Sequence, residues 1–232
     1  SLASQGMQYV SSLSDLRKRL GEVRRDENDG LWVRAVAAKD RMTGFEGMRF
    51  KQTSYRFNVG FDHASGPWLF GGDFAYAENR QKMEQEVFKG NSHAYGLDLY
   101  ATYRADNGGY ADFVVSGRRN HQHLTTVMLD GVGVKGSYRN TGYGASIEVG
   151  RLMTVSEKHA VFFEPQAQLA YFAVQGKDFV LSNGLTVRQK DYESLTGRIG
   201  GFLGKNFTSQ ETGRFGEVAL HAGWKGNLFA RN

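Results

Sequence analysis

The chain has 232 residues, 40% of them apolar and 23% charged, and a net charge of +5. It contains no cysteine, which excludes disulfides, thiol catalysis and thiolate metal sites. Outside 17–25 its lysines and arginines are scattered through the strands rather than gathered into one cluster, so nucleic acid is not an expected partner. Thirty glycines, 16 Phe and 11 Tyr against 2 prolines point to strands and tight turns. No apolar run reaches the roughly 18 residues of a transmembrane helix. A mean hydropathy of −0.49 does not exclude a membrane β-barrel, because alternating strands average to a weak signal. The chain begins at Ser1 with neither Met nor signal peptide, so a processed product or a fragment of a longer chain is expected.

The first predicted element is a helix over 11–25. Ser12 and Asp15 form a capping-box-like start, and Leu13, Leu16, Leu20 and Val23 make one narrow stripe. Arg17, Lys18, Arg24 and Arg25 lie mostly off that stripe. Such a helix is about 20 Å long. Turn residues 26–30 end it.

From Gly30 onward the chain reads as strand and turn. About nine strands are predicted, near 30–41, 50–63, 67–82, 91–104, 109–122, 134–152, 159–175, 192–207 and 214–228. Turns such as Ser65-Gly66 and Asn107-Gly108 alternate with longer connections such as 123–133 and 176–191. Many strands run to ten residues or more, the length of a tilted membrane-spanning strand.

Alternation runs throughout. Over 94–103, Tyr95, Leu97, Leu99 and Tyr103 oppose Gly96, Asp98, Tyr100 and Thr102. Over 163–171, Phe163, Ala167, Leu169 and Tyr171 oppose Glu164, Gln166 and Gln168. Aromatics bracket the apolar faces: Trp68 with Tyr76, Tyr95 with Tyr103, Phe163 with Tyr171; Trp224 is placed in the same girdle. Eight residues span about 26 Å along a strand, and about 20 Å vertically when tilted, close to the band between two aromatic girdles.

The opposite face carries Arg34, Arg56, Asp62, Asp73, Asp98, Asp112, Arg118, Glu148, Glu164, Arg198 and Glu217, and many glycines. A soluble sandwich also has a polar face, but on its outside. Strand length, girdle spacing and the glycines favour an all-β, antiparallel, transmembrane up-and-down barrel, with these charged residues facing the lumen. Seven acids against four arginines make that lumen acidic. A basic helix of similar length suggests a plug in the pore, with 1–28 as linker and helix and 29–232 as barrel.

Together, "LSDLRKRLGEVR", "GLWVRA", "SYRFNVGFDH", "GPWLFGGDFAYA", "FFEPQAQLAYF", "LSNGLTVRQKDYESLTGRIGGFLGK" and "GRFGEVALHAGW" resemble the C-terminal translocator domain of type V autotransporters, most of all the AIDA and pertactin type of adhesin and virulence autotransporters. The order and spacing of these segments carry the resemblance over nearly the whole chain. It implies a barrel of about twelve strands in the Gram-negative outer membrane, with a helix matching 11–25 in the pore and a passenger exported to the cell surface and anchored there. The implied partners are outer-membrane lipid, the outer-membrane assembly machinery and the passenger. The chain departs from the family at its end: "GNLFARN" lacks the terminal aromatic and about three strands, so a truncated C-terminus is expected.

Other chemistry finds little support. Some autotransporters cleave their passenger inside the pore, but no paired Asn occurs in the helix. Lumen acids more often form ion-pair networks. Gly131 to Gly136 is no nucleotide loop without a βαβ unit. His121 and His123 lack further metal ligands, and no Gly-x-Ser-x-Gly elbow occurs. No catalytic residue, metal or cofactor is therefore assigned, and no enzyme is expected. The expected function is translocation and anchoring of a passenger, with a porin-like channel or an outer-membrane barrel enzyme as alternatives.

Overall fold

A computed structural model of the protein describes residues 30–43, 49–83, 88–127, 133–156, 160–208 and 215–231. The helix expected at 11–25, with Arg17, Lys18, Arg24 and Arg25, lies outside the described residues. The strands are β1 (Gly30–Thr43), β2 (Arg49–Ser65), β3 (Trp68–Met83), β4 (Phe88–Arg104), β5 (Gly109–Val127), β6 (Gly133–Arg151), β7 (Met153–Ser156), β8 (Val161–Val174), β9 (Phe179–Val180), β10 (Thr186–Val187), β11 (Tyr192–Thr208) and β12 (Phe215–Arg231).

One antiparallel sheet runs in the order β1-β2-β3-β4-β5-β6-β8-β11-β12, a pure meander. These are the nine expected strands. β7 follows β6 after a break at Leu152 and pairs with β8 through a register shift. β9 and β10 pair only with each other, inside 176–191, where the sequence predicts a longer connection.

Turn chemistry explains the short ends. Gly66 and Gly108 both have positive φ, +57° and +81°. At Gly108 a Cβ would also lie 2.4 Å from the Leu152 carbonyl oxygen, so a side chain there is excluded twice over. The Asn107 Oδ1 accepts a 3.0 Å bond from the Gly109 amide, fixing that turn.

The inner face has two apolar patches. Leu69, Tyr100, Val114, Ala170, Phe172 and Val174 form one cluster, with Trp32 against them. Val134, Tyr138, Phe179 and Leu181 form the other, where the β9–β10 hairpin folds onto β6. There Phe179 stacks on Tyr138 at 4.7 Å. The Ser182 amide donates to the Lys135 carbonyl at 2.8 Å, and the Gln175 amide to Thr141 at 2.9 Å. Residues 133–141 of β6 extend past β8, so this loop covers an otherwise bare strand edge.

Candidate functional site

Strand parity places the charged residues. On β2 to β6 one face is buried at alternate residues, and that face carries Asp62, Asp73, Asp98, Asp112 and Glu148, all 3% exposed or less. Side chains on a concave sheet face converge, and the hydrogen bonds cross several strands. The Trp32 indole donates to Asp62 Oδ1 at 3.0 Å and reaches the Tyr100 hydroxyl at 3.1 Å, spanning β1 to β4. The Tyr100 hydroxyl also donates to Asp62.

At mid-height, Asp73 and Asp98 are direct cross-strand partners. Like charges so placed repel each other. Each is held by a donor: the Asn58 amide on Asp73, and Arg118 Nη2 on Asp98 at 2.8 Å. Thr102 donates to Asp112 at 2.7 Å across β4 and β5.

The densest cluster joins β5, β6, β8 and β11. Arg198 Nη2 lies 2.7 Å from Glu148 Oε2, and Arg198 also donates to Gln166 and Gln168. The Tyr110 hydroxyl sits 3.2 Å from Glu148 and 3.1 Å from Glu164. One hydroxyl has one proton, so it can donate to only one of these carboxylates at a time. Gln166 donates to Glu164 at 2.8 Å. This is a tied network of charges rather than a free acid–base pair.

Glycines on this face make room for their neighbours. A Cβ at Gly60 would meet the Trp32 ring at 2.5 Å, at Gly71 the Tyr100 ring at 2.4 Å, at Gly96 Arg118 Nη1 at 2.1 Å, and at Gly150 the Tyr110 hydroxyl at 2.5 Å. Adjacent strands' side chains occupy the space above these glycines. Arg34 and Arg56 are half-buried on the same face. Glu217 lies opposite Asn206 in the ladder, and its side chain lies outside the described residues.

The other face is apolar and exposed: Phe61 is 56%, Leu97 55%, Leu99 58% and Ile199 60% accessible. Aromatics cluster at two levels on β3 and β4. Trp68 and Tyr103 meet at 5.1 Å, and Tyr76 and Tyr95 at 5.4 Å. Of the other girdle residues, Trp224 and Phe163 are exposed and Tyr171 is half-buried.

Sequence reasoning missed Trp32, Tyr100 and Tyr110 as members of the inner network. Tyr100 stands at polar parity in its strand, and an aromatic with a polar tip at that parity was the available signal. The convergence of Tyr110 on two carboxylates depends on register across three strands.

The family model described as autotransporter beta-domain matches residues 31–232. The chain is 36% identical over 204 residues to the pertactin autotransporter of Bordetella bronchiseptica, covering 85% of this chain and 22% of that protein. It is 30% identical over 194 residues to the BrkA autotransporter of Bordetella pertussis, covering 80% of this chain and 18% of that one. The chain thus spans about a fifth of the length of these curated relatives. The fold is that of the beta domain of Bordetella BrkA, with a TM-score of 0.73 at 23% identity over 88% of this chain and 80% of that one. The translocator domain of NalP from Neisseria meningitidis also gives 0.73, at 15% identity over 97% of this chain and 79% of that one. A match running from β1 to the end of β12 leaves one assignment: the chain belongs to the autotransporter beta-domain family, whose barrels reside in the outer membrane of Gram-negative bacteria.

Proposed function

We propose that the apolar face meets lipid, that the polar face lines the translocation path, and that the domain exports its own passenger and then anchors it at the cell surface. The observation that supports this is the inverted polarity of the strands: charged residues buried and bonded within, large apolar residues bare without. In water that arrangement exposes far more apolar surface than a monomer tolerates. In a bilayer it satisfies the backbone within the sheet and the side chains on both faces. The partners are outer-membrane lipid, the outer-membrane assembly machinery and the passenger. The barrel contributes no catalytic residue, and any enzymatic activity belongs to the passenger.

The test uses neighbours in β4 that face opposite ways. Leu99→Arg places a charge against hydrocarbon and costs about 2–4 kcal/mol at the bilayer midplane. It should abolish heat-modifiable, protease-resistant assembly in vesicles, whereas Asp98→Arg should spare insertion and lower stability. Equal loss of assembly in both would reverse the face assignment.

Residues 1–28 are proposed as linker and pore helix, with Arg17, Lys18, Arg24 and Arg25 set against the acids of the lumen. Deleting them should raise single-channel conductance in planar bilayers. Unchanged conductance would rule out a plug.

A further inference from the structure

The outer face changes character beyond the Tyr76–Tyr95 level. Along the register, Tyr76, Tyr95, Arg119 and Thr141 form one cross-strand row on β3 to β6. The next row is Glu78, His93, His121 and Arg139. Rows on one face lie about 6.6 Å apart, so this second row stands just past the apolar band. Arg119 and Arg139 are diagonal neighbours flanking His121. Diagonal pairs sit about 7–8 Å apart, within reach of two long side chains converging on one group. Both arginines are exposed.

The local field is positive. His121 faces Arg139 on one neighbouring strand and His93 on the other, and stands two residues from both Arg119 and His123. Glu78, the acid of that row, is engaged by Arg80 at 2.7 Å. His93 is tied to the girdle through the Tyr76 hydroxyl at 3.0 Å from its Nδ1. The opposite end of the same strands differs: its girdle row is Trp68, Tyr103, Ala111 and Val149, and the row beyond holds one arginine, Arg151, bonded to the Asn107 carbonyl.

The cationic end also carries the long 175–191 segment with its own hairpin, whereas the far end of β2 and β3 closes through Gly66 and Pro67. In outer-membrane barrels the longer loops face the exterior. We infer that Arg119, His121 and Arg139, flanked by His93, form a binding patch for the phosphomonoester headgroups of outer-leaflet lipid. The lipid's chains would lie against the apolar band below. Guanidinium forks match phosphate geometry and are weakly hydrated, so two of them at the lipid surface select a doubly charged monoester over a zwitterionic headgroup. This site rests on the membrane reading above, because it uses the band as the seat of the lipid chains.

The probe is lipid A, supplied in phosphatidylcholine vesicles with the full chain inserted. The readout is lipid A retained per chain after extraction, by native mass spectrometry. The intact chain should retain lipid A and not its dephosphorylated form. Each arginine near a charged lipid surface is worth about fivefold in affinity, so Arg119→Gln with Arg139→Gln should weaken retention about 25-fold. The Arg119→Lys and Arg139→Lys pair should fall between, because it keeps charge and loses the fork. Arg151→Gln, at the far end, should change nothing. Three outcomes would overturn the site: undiminished retention in the glutamine pair, equal retention of dephosphorylated lipid, or displacement by millimolar inorganic phosphate. A chain that fails to insert even into plain phosphatidylcholine vesicles would overturn the membrane reading itself, which separates the two failures.

Discussion

Arg198 and Phe179 both belong to the inner face, one at mid-height and one at the mouth, and different physics holds them. Arg198 is held by directional bonds to a carboxylate and two glutamine oxygens, and that carboxylate in turn shares a tyrosine hydroxyl with Glu164. Around Phe179 the contacts are rings and aliphatic carbons from Tyr138, Val134 and Leu181. A directional network leaves a buried charge stranded when one member is removed. An apolar cluster loses buried area and gains a cavity, but strands no charge. The middle of the domain should therefore be brittle, and the mouth separable from the rest.

The largest expected effect breaks the network. Glu148→Ala leaves the Arg198 guanidinium, 11% exposed, without its carboxylate. Removing one partner of a buried pair costs about 3–5 kcal/mol. Urea unfolding in vesicles should shift by that amount, and a shift below about 1 kcal/mol would mean the interior is as wet as bulk water.

A smaller, local effect is expected at the mouth. Phe179→Ala should release the β9–β10 hairpin and raise amide exchange at 133–141, where Ser182 and Gln175 cover the β6 edge. The global unfolding midpoint should hold. If exchange stays slow, or if the whole domain destabilises with it, the two regions are one cooperative unit.

The smallest effect lies outside both. Glu78→Gln removes the partner of an Arg80 side chain that is 60% exposed. Such surface pairs contribute little, and no measurable change in the unfolding midpoint is expected. A clear shift would show that the outer cationic row needs Glu78 to hold its geometry.

Much of this was readable from parity. In 94–103 each residue's side follows from whether its number is odd or even, because strand side chains alternate. Asp98 and Leu99 could be assigned to opposite faces without coordinates of any kind. What parity cannot supply is the offset between strands. That Tyr110 reaches Glu148 and Glu164 depends on where β5, β6 and β8 align, and no local pattern encodes it. The β9–β10 hairpin was a different loss. Asn183-Gly184, with Gly184 at φ +84°, is a hairpin signal that lay in plain view between Phe179 and Val187. Its two-residue strands are too short to alternate, so parity does not reveal them.

The pairing of glycines with large side chains bears on how the strands find their alignment. A slip of one residue turns every charge outward and is punished at once. A slip of two keeps each charge inside and each Leu outside, so polarity alone does not detect it. Trp32 faces Gly60, Tyr100 faces Gly71, Arg118 faces Gly96 and Tyr110 faces Gly150, each directly across the ladder. Sliding by two sets each bulky group against a neighbour that already has a Cβ. Size thus proofreads what polarity cannot, one hairpin at a time, as the sheet zips together.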